Sequence, residues 1–238
     1  MKERPILFNA EMVRAVLDGR KTQTRRIAKV EACDTRPLGG GRVFITPTGF
    51  YVPRTPEDHA SYCPYGQPGD RLWVRESWRV GAWNESDGKI AVDYRADNHA
   101  RREWLDPNPD DDGELFNRLW EQSSEDCSGR VRPDDEGRYQ WKASESPCRW
   151  RPSIFMPRAF SRITLEITSV RVERVQAINS NDARAEGINR PIDARYPVVE
   201  FRALWDSINA GRGYGWEVNP WVWVIEFKTV HQGEHDEH

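Results

Sequence analysis

The stretch DGRKTQTRR, residues 18–26, sets Lys21 and Thr24 three positions apart beside Arg20, Arg25 and Arg26. A threonine hydroxyl is a poor nucleophile near neutral pH and needs an adjacent base. A lysine serves as that base only when burial or neighbouring positive charge keeps it neutral. The three arginines supply such charge. Bringing a lysine from about 10.4 to about 7.4 takes about 4 kcal/mol of differential destabilisation of the ammonium, which demands burial as well as neighbours. In a plain extended strand the two side chains would point to opposite faces, so a shared pocket requires a turn or helical twist between them. On these residues alone the plainer reading is a solvated basic loop after a helix.

Further along, Glu76 in VRESW shares a strand face with Leu72 and Val74, which makes it a rival acid, partly buried and paired with an arginine. Arg75, on the other face, can point towards a phosphate or a base. Arg158, Ser161 and Arg162 in MPRAFSR would add a basic rim, although an ordinary exposed loop has the same composition. Trp73, Trp78, Trp221 and Trp223 fall in strand-like motifs and read as packing residues. Tyr214 and Trp216, in the loop NAGRGYGWEVNP, are better placed to stack on a nucleobase, because a loop can present them. The four cysteines, Cys33, Cys63, Cys127 and Cys148, contain no C-x-x-C pair and read as free thiols. His59 and Cys63 in DHASYC supply only half of a zinc set, so neither metal nor cofactor is expected.

The elements that must position these residues are legible in part. Asn9 caps a helix whose apolar positions Met12, Val13, Val16 and Leu17 recur at three- and four-residue spacing, and Gly19 ends it. RVFIT and FYV suggest a hairpin inside a Pro- and Gly-rich stretch, and QPGD turns the chain into the strand RLWVRESW. SRITLEITSVRVERV alternates through Ile163, Leu165 and Ile167, then changes phase to Val170 and Val172, which requires a bulge or turn near Thr168 and Ser169. NSNDARAEGI reads as a short capped helix ending at Gly187, and PVVEFRALWDSIN as a second helix. PWVWVIEFKTV is apolar on both faces, as in a buried strand.

The length of 238 residues suits one elaborated domain as well as two, and a single domain over 1–238 is the expectation adopted. Residues 82–147 are mostly polar and offer too few apolar residues for a core of their own, so they read as an insertion serving as a lid or partner-binding face. The net charge of -3 gives no global attraction to a polyanion, so any nucleic-acid contact must come from a local basic patch. No apolar run is long enough to span a bilayer and MKERPILFNAEMV lacks the pattern of a signal peptide, so a cytoplasmic protein without membrane contact is expected. Oligomeric state is not legible.

Four of these stretches, GRKTQTRR, PGDRLWVRESW, SRITLEITSVRVERVQAINSNDARAEGI and NPWVWVIEF, occur in an order that resembles the ASCH family of the PUA-like superfamily. The similarity covers roughly residues 5–30, 66–80 and 154–228, and long members with an insertion of this kind are frequent in phage and prophage genomes. The resemblance implies an α+β fold, a small β-barrel with flanking helices and a central cleft, and a partner that is RNA or a modified nucleoside. Some compact bacterial members are N(4)-acetylcytidine amidohydrolases, which use a lysine as proton acceptor, a threonine as nucleophile and a glutamate as proton donor. By motif these fall on Lys21, Thr24 and Glu186. The resemblance thus implies a hydrolase that removes an acyl group from a nucleobase amine. The alternatives are a non-catalytic module in which Lys21, Arg25, Arg26 and Arg75 hold phosphate or a base edge, and a ribonuclease, for which no histidine pair of the usual acid–base kind is visible.

Overall fold

The computed structural model describes residues 1–31, 43–46, 49–51, 62–97, 103–107, 113–142, 145–188 and 196–230. They form an α+β structure. The strands are β1 (Glu3–Leu7), β2 (Gln23–Ile27), β3 (Val30–Glu31), β4 (Val43–Thr46), β5 (Gly49–Tyr51), β6 (Arg71–Arg75), β7 (Trp78–Asn84), β8 (Lys89–Tyr94), β9 (Glu103–Leu105), β10 (Thr164–Arg174) and β11 (Trp221–Val230). The α-helices are α1 (Ala10–Leu17), α2 (Glu114–Cys127), α3 (Ser180–Ala185) and α4 (Pro197–Asn209). The chain divides into two compact units. The first holds Met1–Pro5, Ala15–Leu72 and Ile163–His238, the second Ile6–Arg14 and Trp73–Arg162.

A five-stranded sheet runs in the order β1-β6-β10-β11-β2, and its strands β2, β10 and β11 lie wholly in the first unit. β11 lies between two partners, which is why its residues are apolar on both faces, and Val222, Val224 and Ile225 are fully buried. The phase change in β10 is a bulge. Ile167 pairs with Phe227 and the next pair is Ser169 with Glu226, so Thr168 is the extra residue. The bulge lets Leu165, Ile167, Val170 and Val172 all sit opposite alternate residues of β11, on one face, despite the odd spacing in sequence. The other face carries Val222 and Val224, which pack with Phe201 and Trp205 of α4 and Ala183 of α3. Among the described residues β1 and β2 remain edges of the sheet, so the closed barrel expected from the resemblance is replaced by an open sheet with helices on one face. The expected hairpin is present as β4 and β5, with β3 alongside.

The second unit contains a three-stranded sheet in the order β7-β8-β9 and the helix α2. Its buried cluster draws Ile90, Val92, Tyr94, Leu119 and Cys127 from the polar stretch 82–147, and Trp78, Val80, Cys148, Met156 and Phe160 from its two flanks. The stretch lacks the apolar residues for a core of its own and obtains one by recruiting its flanks, Trp78 packing edge-on to Phe160 at 5.1 Å. Helix α1 begins as expected, Asn9 Oδ1 accepting the Met12 N–H at 2.8 Å. Its apolar stripe is narrower than the spacing predicts, for Val13 and Val16 are buried and Leu17 is 50% exposed.

Candidate functional site

Gly19, at φ 70°, turns the chain out of α1, and Lys21 then pairs with Glu186 in an isolated antiparallel bridge just before β2 begins. Glu186 is delivered by α3, whose first turn is capped by the Asn179 side chain accepting from the N–H groups of Asn181 and Asp182 at 2.8 and 3.0 Å. Gly187 follows at φ 92°, and a Cβ there would stand 2.8 Å from the Ala15 Cβ and 3.2 Å from the Lys21 Cβ. The approach of the two backbones at this point therefore requires glycine.

Lys21 is buried at 1% exposure. Its Nζ donates to the Glu186 Oε2 at 2.9 Å, to the Glu186 carbonyl at 2.9 Å and to the Gln23 carbonyl at 2.7 Å. Burial lowers its pKa from the ordinary lysine value. The Glu186 carboxylate opposes that shift, and the positive charges of Arg26 and Arg25 add to it. Burial and neighbouring cations, the two influences a lysine base calls for, both act on Lys21, against the pull of the carboxylate to which it donates.

Arg25 is buried too, and its guanidinium is divided among three carboxylates. Nη1 donates to Glu186 Oε1 at 3.1 Å, and Nη2 to Glu173 Oε1 at 2.5 Å and Asp182 Oδ2 at 3.2 Å. Arg171 continues the network to Gln23 at 3.1 Å, Asp182 at 3.3 Å and Glu226. Register explains the convergence: Arg25 pairs with Val224, which pairs with Arg171, so the three share a sheet face, and Gln23, Glu226 and Glu173 lie on that face too. Arg25 was expected to meet phosphate or a base. Its partners are instead acidic side chains of its own chain, and it positions Glu186.

Thr24 is buried at 2% and pairs with Ile225. By alternation it lies on the opposite face from Gln23 and Arg25 and shares its face with Arg26, a half-buried guanidinium within electrostatic reach of Lys21, Glu186 and Tyr65. The structure thus brings Lys21 and Glu186 into contact but places Thr24 on the face of β2 opposite the one on which Arg25 holds Glu186, beside Arg26. Tyr214 and Trp216 also belong to the first unit, where they are half-buried. The Tyr214 carbonyl accepts from the Trp205 Nε1 at 2.8 Å, and Trp216 packs edge-on against Phe201 at 6.4 Å. Trp216 is therefore part of the packing under α4.

The remaining candidates lie in the second unit. Glu76 is buried at 2%, and burial raises its pKa, which the paired Arg162 opposes. Arg162 grips it from two nitrogens at 2.9 and 3.1 Å, donates to Asp97 at 2.9 Å and lies 4.0 Å over the Tyr94 ring. The reading of Glu76 as a buried, arginine-paired carboxylate agrees with this. The reading of Arg162 as a basic rim does not, since its charge is spent on two carboxylates. Arg75 donates to the Ile154 carbonyl at 3.1 Å and, with Arg158, flanks the Trp73 ring at 4.5 and 5.8 Å. Ser161 is buried and donates to the Val74 carbonyl at 2.8 Å.

Asp182, Glu173, Arg171, Glu226 and Tyr65 were not singled out from the sequence. Asp182 stands one helical turn before Glu186, and Arg171 and Glu173 alternate on β10 once the bulge is counted, so spacing carried the signal for three of them. Among the described residues no three His, Cys, Asp or Glu side chains are arranged to hold a metal ion. Cys63 is buried, with its thiol pushed up to about 11 by that burial, and His59, four residues before it, lies outside the described residues. No helix among the described residues is long and apolar enough to cross a membrane. Comparison of the chain with protein families, curated proteins and solved structures finds no match.

Proposed function

We propose that this chain is an ASCH-type hydrolase of the PUA-like superfamily that acts in the cytoplasm on RNA or a modified nucleoside, removing an acyl group from a nucleobase amine of the N(4)-acetylcytidine type. The observation that carries the reading is the buried contact of 2.9 Å between Lys21 Nζ and Glu186 Oε2, with the lysine held below its ordinary pKa. The motif order and the bulged β10 strand support it.

For catalysis the proton that Lys21 Nζ donates to Glu186 Oε2 must first pass to the carboxylate, leaving an amine that can act as base and an acid that can donate. The Thr24 hydroxyl oxygen attacks the acyl carbon as Lys21 takes its proton. The bond from the acyl carbon to the amine then breaks, Glu186 gives its proton to the departing amine, and an ester remains on Thr24. Water attacks that ester. Its proton passes to Glu186 while Lys21 returns a proton to the Thr24 oxygen, which releases the carboxylic acid and restores both groups. Arg26, on the strand face of Thr24, supplies positive charge for the oxyanion formed in each half. The commitment of Arg25 to Glu186, Glu173 and Asp182 favours this reading over simple phosphate binding, because it leaves Arg25 as an anchor for the acid.

The test is incubation of the protein with N(4)-acetylcytidine and other acylated nucleosides, following release of the acid. Wild type is expected to turn over one of them, with Lys21→Ala and Thr24→Ala each losing activity. Release unchanged by either substitution contradicts the mechanism, and no release from any substrate contradicts the activity.

A further inference from the structure

A cavity of about 500 Å3 in the second unit is lined by Arg118, Arg149 and Arg151 together with Trp78, Trp150 and Phe155. Arg151 and Trp78 are locked side by side by a backbone bridge, Trp78 N–H to the Arg151 carbonyl at 3.2 Å and Arg151 N–H to the Trp78 carbonyl at 2.7 Å. Arg151 Nη1 donates to Gln122 Oε1 at 2.5 Å, and the guanidinium sits 5.3 Å over the Trp78 ring. Its Nε and Nη2, like Trp78 Nε1, are buried N–H groups with no acceptor among the described residues. Burial lowers the Arg151 pKa, and Arg149 and Arg118 push the same way against the pull of Asp126. Asp126 is itself engaged by Arg149 at 3.2 Å.

Three guanidiniums lining one cavity are complementary to an anion that offers several oxygens, and the planar arginine fork matches phosphate. Phe155, 69% exposed on the same cavity wall, presents a free aromatic face. The larger cavity of the second unit, about 940 Å3, is also rich in aromatic rings, but Glu85 and Glu136 line it beside Arg138, so it has no excess of positive charge. For a chain of net charge -3, the smaller cavity is a local basic patch of the kind nucleic-acid contact requires. We propose that it binds the phosphate of a nucleotide on Arg118, Arg149 and Arg151, with the base or ribose against Phe155. The nucleotide is either free or part of an RNA strand. This site uses none of the residues of the Lys21 reading and does not rest on it.

The experiment measures binding of fluorescently labelled oligouridylate by anisotropy, and of uridine monophosphate and inorganic phosphate by calorimetry. The proteins are wild type, Arg118→Ala/Arg149→Ala, whose two positions are exposed, and Phe155→Ala. The double substitution is expected to weaken nucleotide or strand binding roughly tenfold or more. Phe155→Ala is expected to weaken the nucleotide and leave inorganic phosphate unchanged. Binding of the monophosphate without the strand assigns the site to free nucleotides, and binding of the strand far above the monophosphate assigns it to RNA. Binding by neither, affinities unmoved in both variants, or displacement of the strand by oligoglutamate as readily as by oligouridylate overturns the proposal.

Discussion

The Lys21 and Glu186 side chains illustrate how one buried contact serves two ends. Two charges taken out of water are costly unless each is paired and hydrogen-bonded, and here both Glu186 oxygens accept from cations while Lys21 Nζ finds three oxygens. Removing one member leaves the others uncompensated. Glu186→Gln is therefore expected to destabilise the fold by about 3–5 kcal/mol in urea unfolding. Lys21→Met, which fills the space without a charge, is expected to lose activity while keeping more stability than Lys21→Ala. The pH dependence has a definite sign. Because the folded lysine holds its proton less tightly than the unfolded one, the unfolded state binds more protons between the folded value and 10.5, and stability from this group rises with pH across that interval. Wild type should gain stability relative to Lys21→Met as pH increases there, and a relative loss would contradict the assignment. The motif pointed to these residues. Their partners were hidden, because Arg25 looks in sequence like one more surface arginine.

At the scale of elements, the site depends on where α3 ends and where β2 begins. Gly187 is the hinge of that arrangement, with a positive φ and with the Ala15 and Lys21 side chains leaving no room for a methyl group. Gly187→Ala is expected to destabilise the protein by about 1–3 kcal/mol and to lower activity by displacing Lys21, measured by thermal unfolding and by turnover. Asn179→Ala, which removes only the α3 cap, should cost about 1 kcal/mol. Strand and helix positions were largely legible here: the β10 bulge, the α3 cap and the doubly apolar β11 all followed from spacing. The number of strands beside β11 and the openness of the sheet were not, because pairing joins residues far apart in the chain and leaves no local pattern.

For the whole molecule, the division into two units was the least legible feature. The polar composition of 82–147 concealed that its few apolar residues are completed by Trp78, Val80, Cys148, Met156 and Phe160 from outside it. The buried cysteines report on both units. Burial pushes the Cys63 thiol up to about 11, and burial together with the adjacent Cys148 pushes Cys127 up to about 12. Native protein treated with iodoacetamide at neutral pH should leave Cys63, Cys127 and Cys148 unmodified by mass spectrometry, with all three reacting in denaturant. Rapid labelling of Cys127 in the native state would mean that the core of the second unit is open.

In the proposed reaction Thr24 carries the acyl group between substrate and water, and the most direct measurement is a rapid acid quench during turnover of N(4)-acetylcytidine followed by peptide mass spectrometry. Wild type is expected to carry an acetyl group on the peptide bearing Thr24, absent in Thr24→Val and in Lys21→Met. Acetate release that persists in Thr24→Val would contradict it.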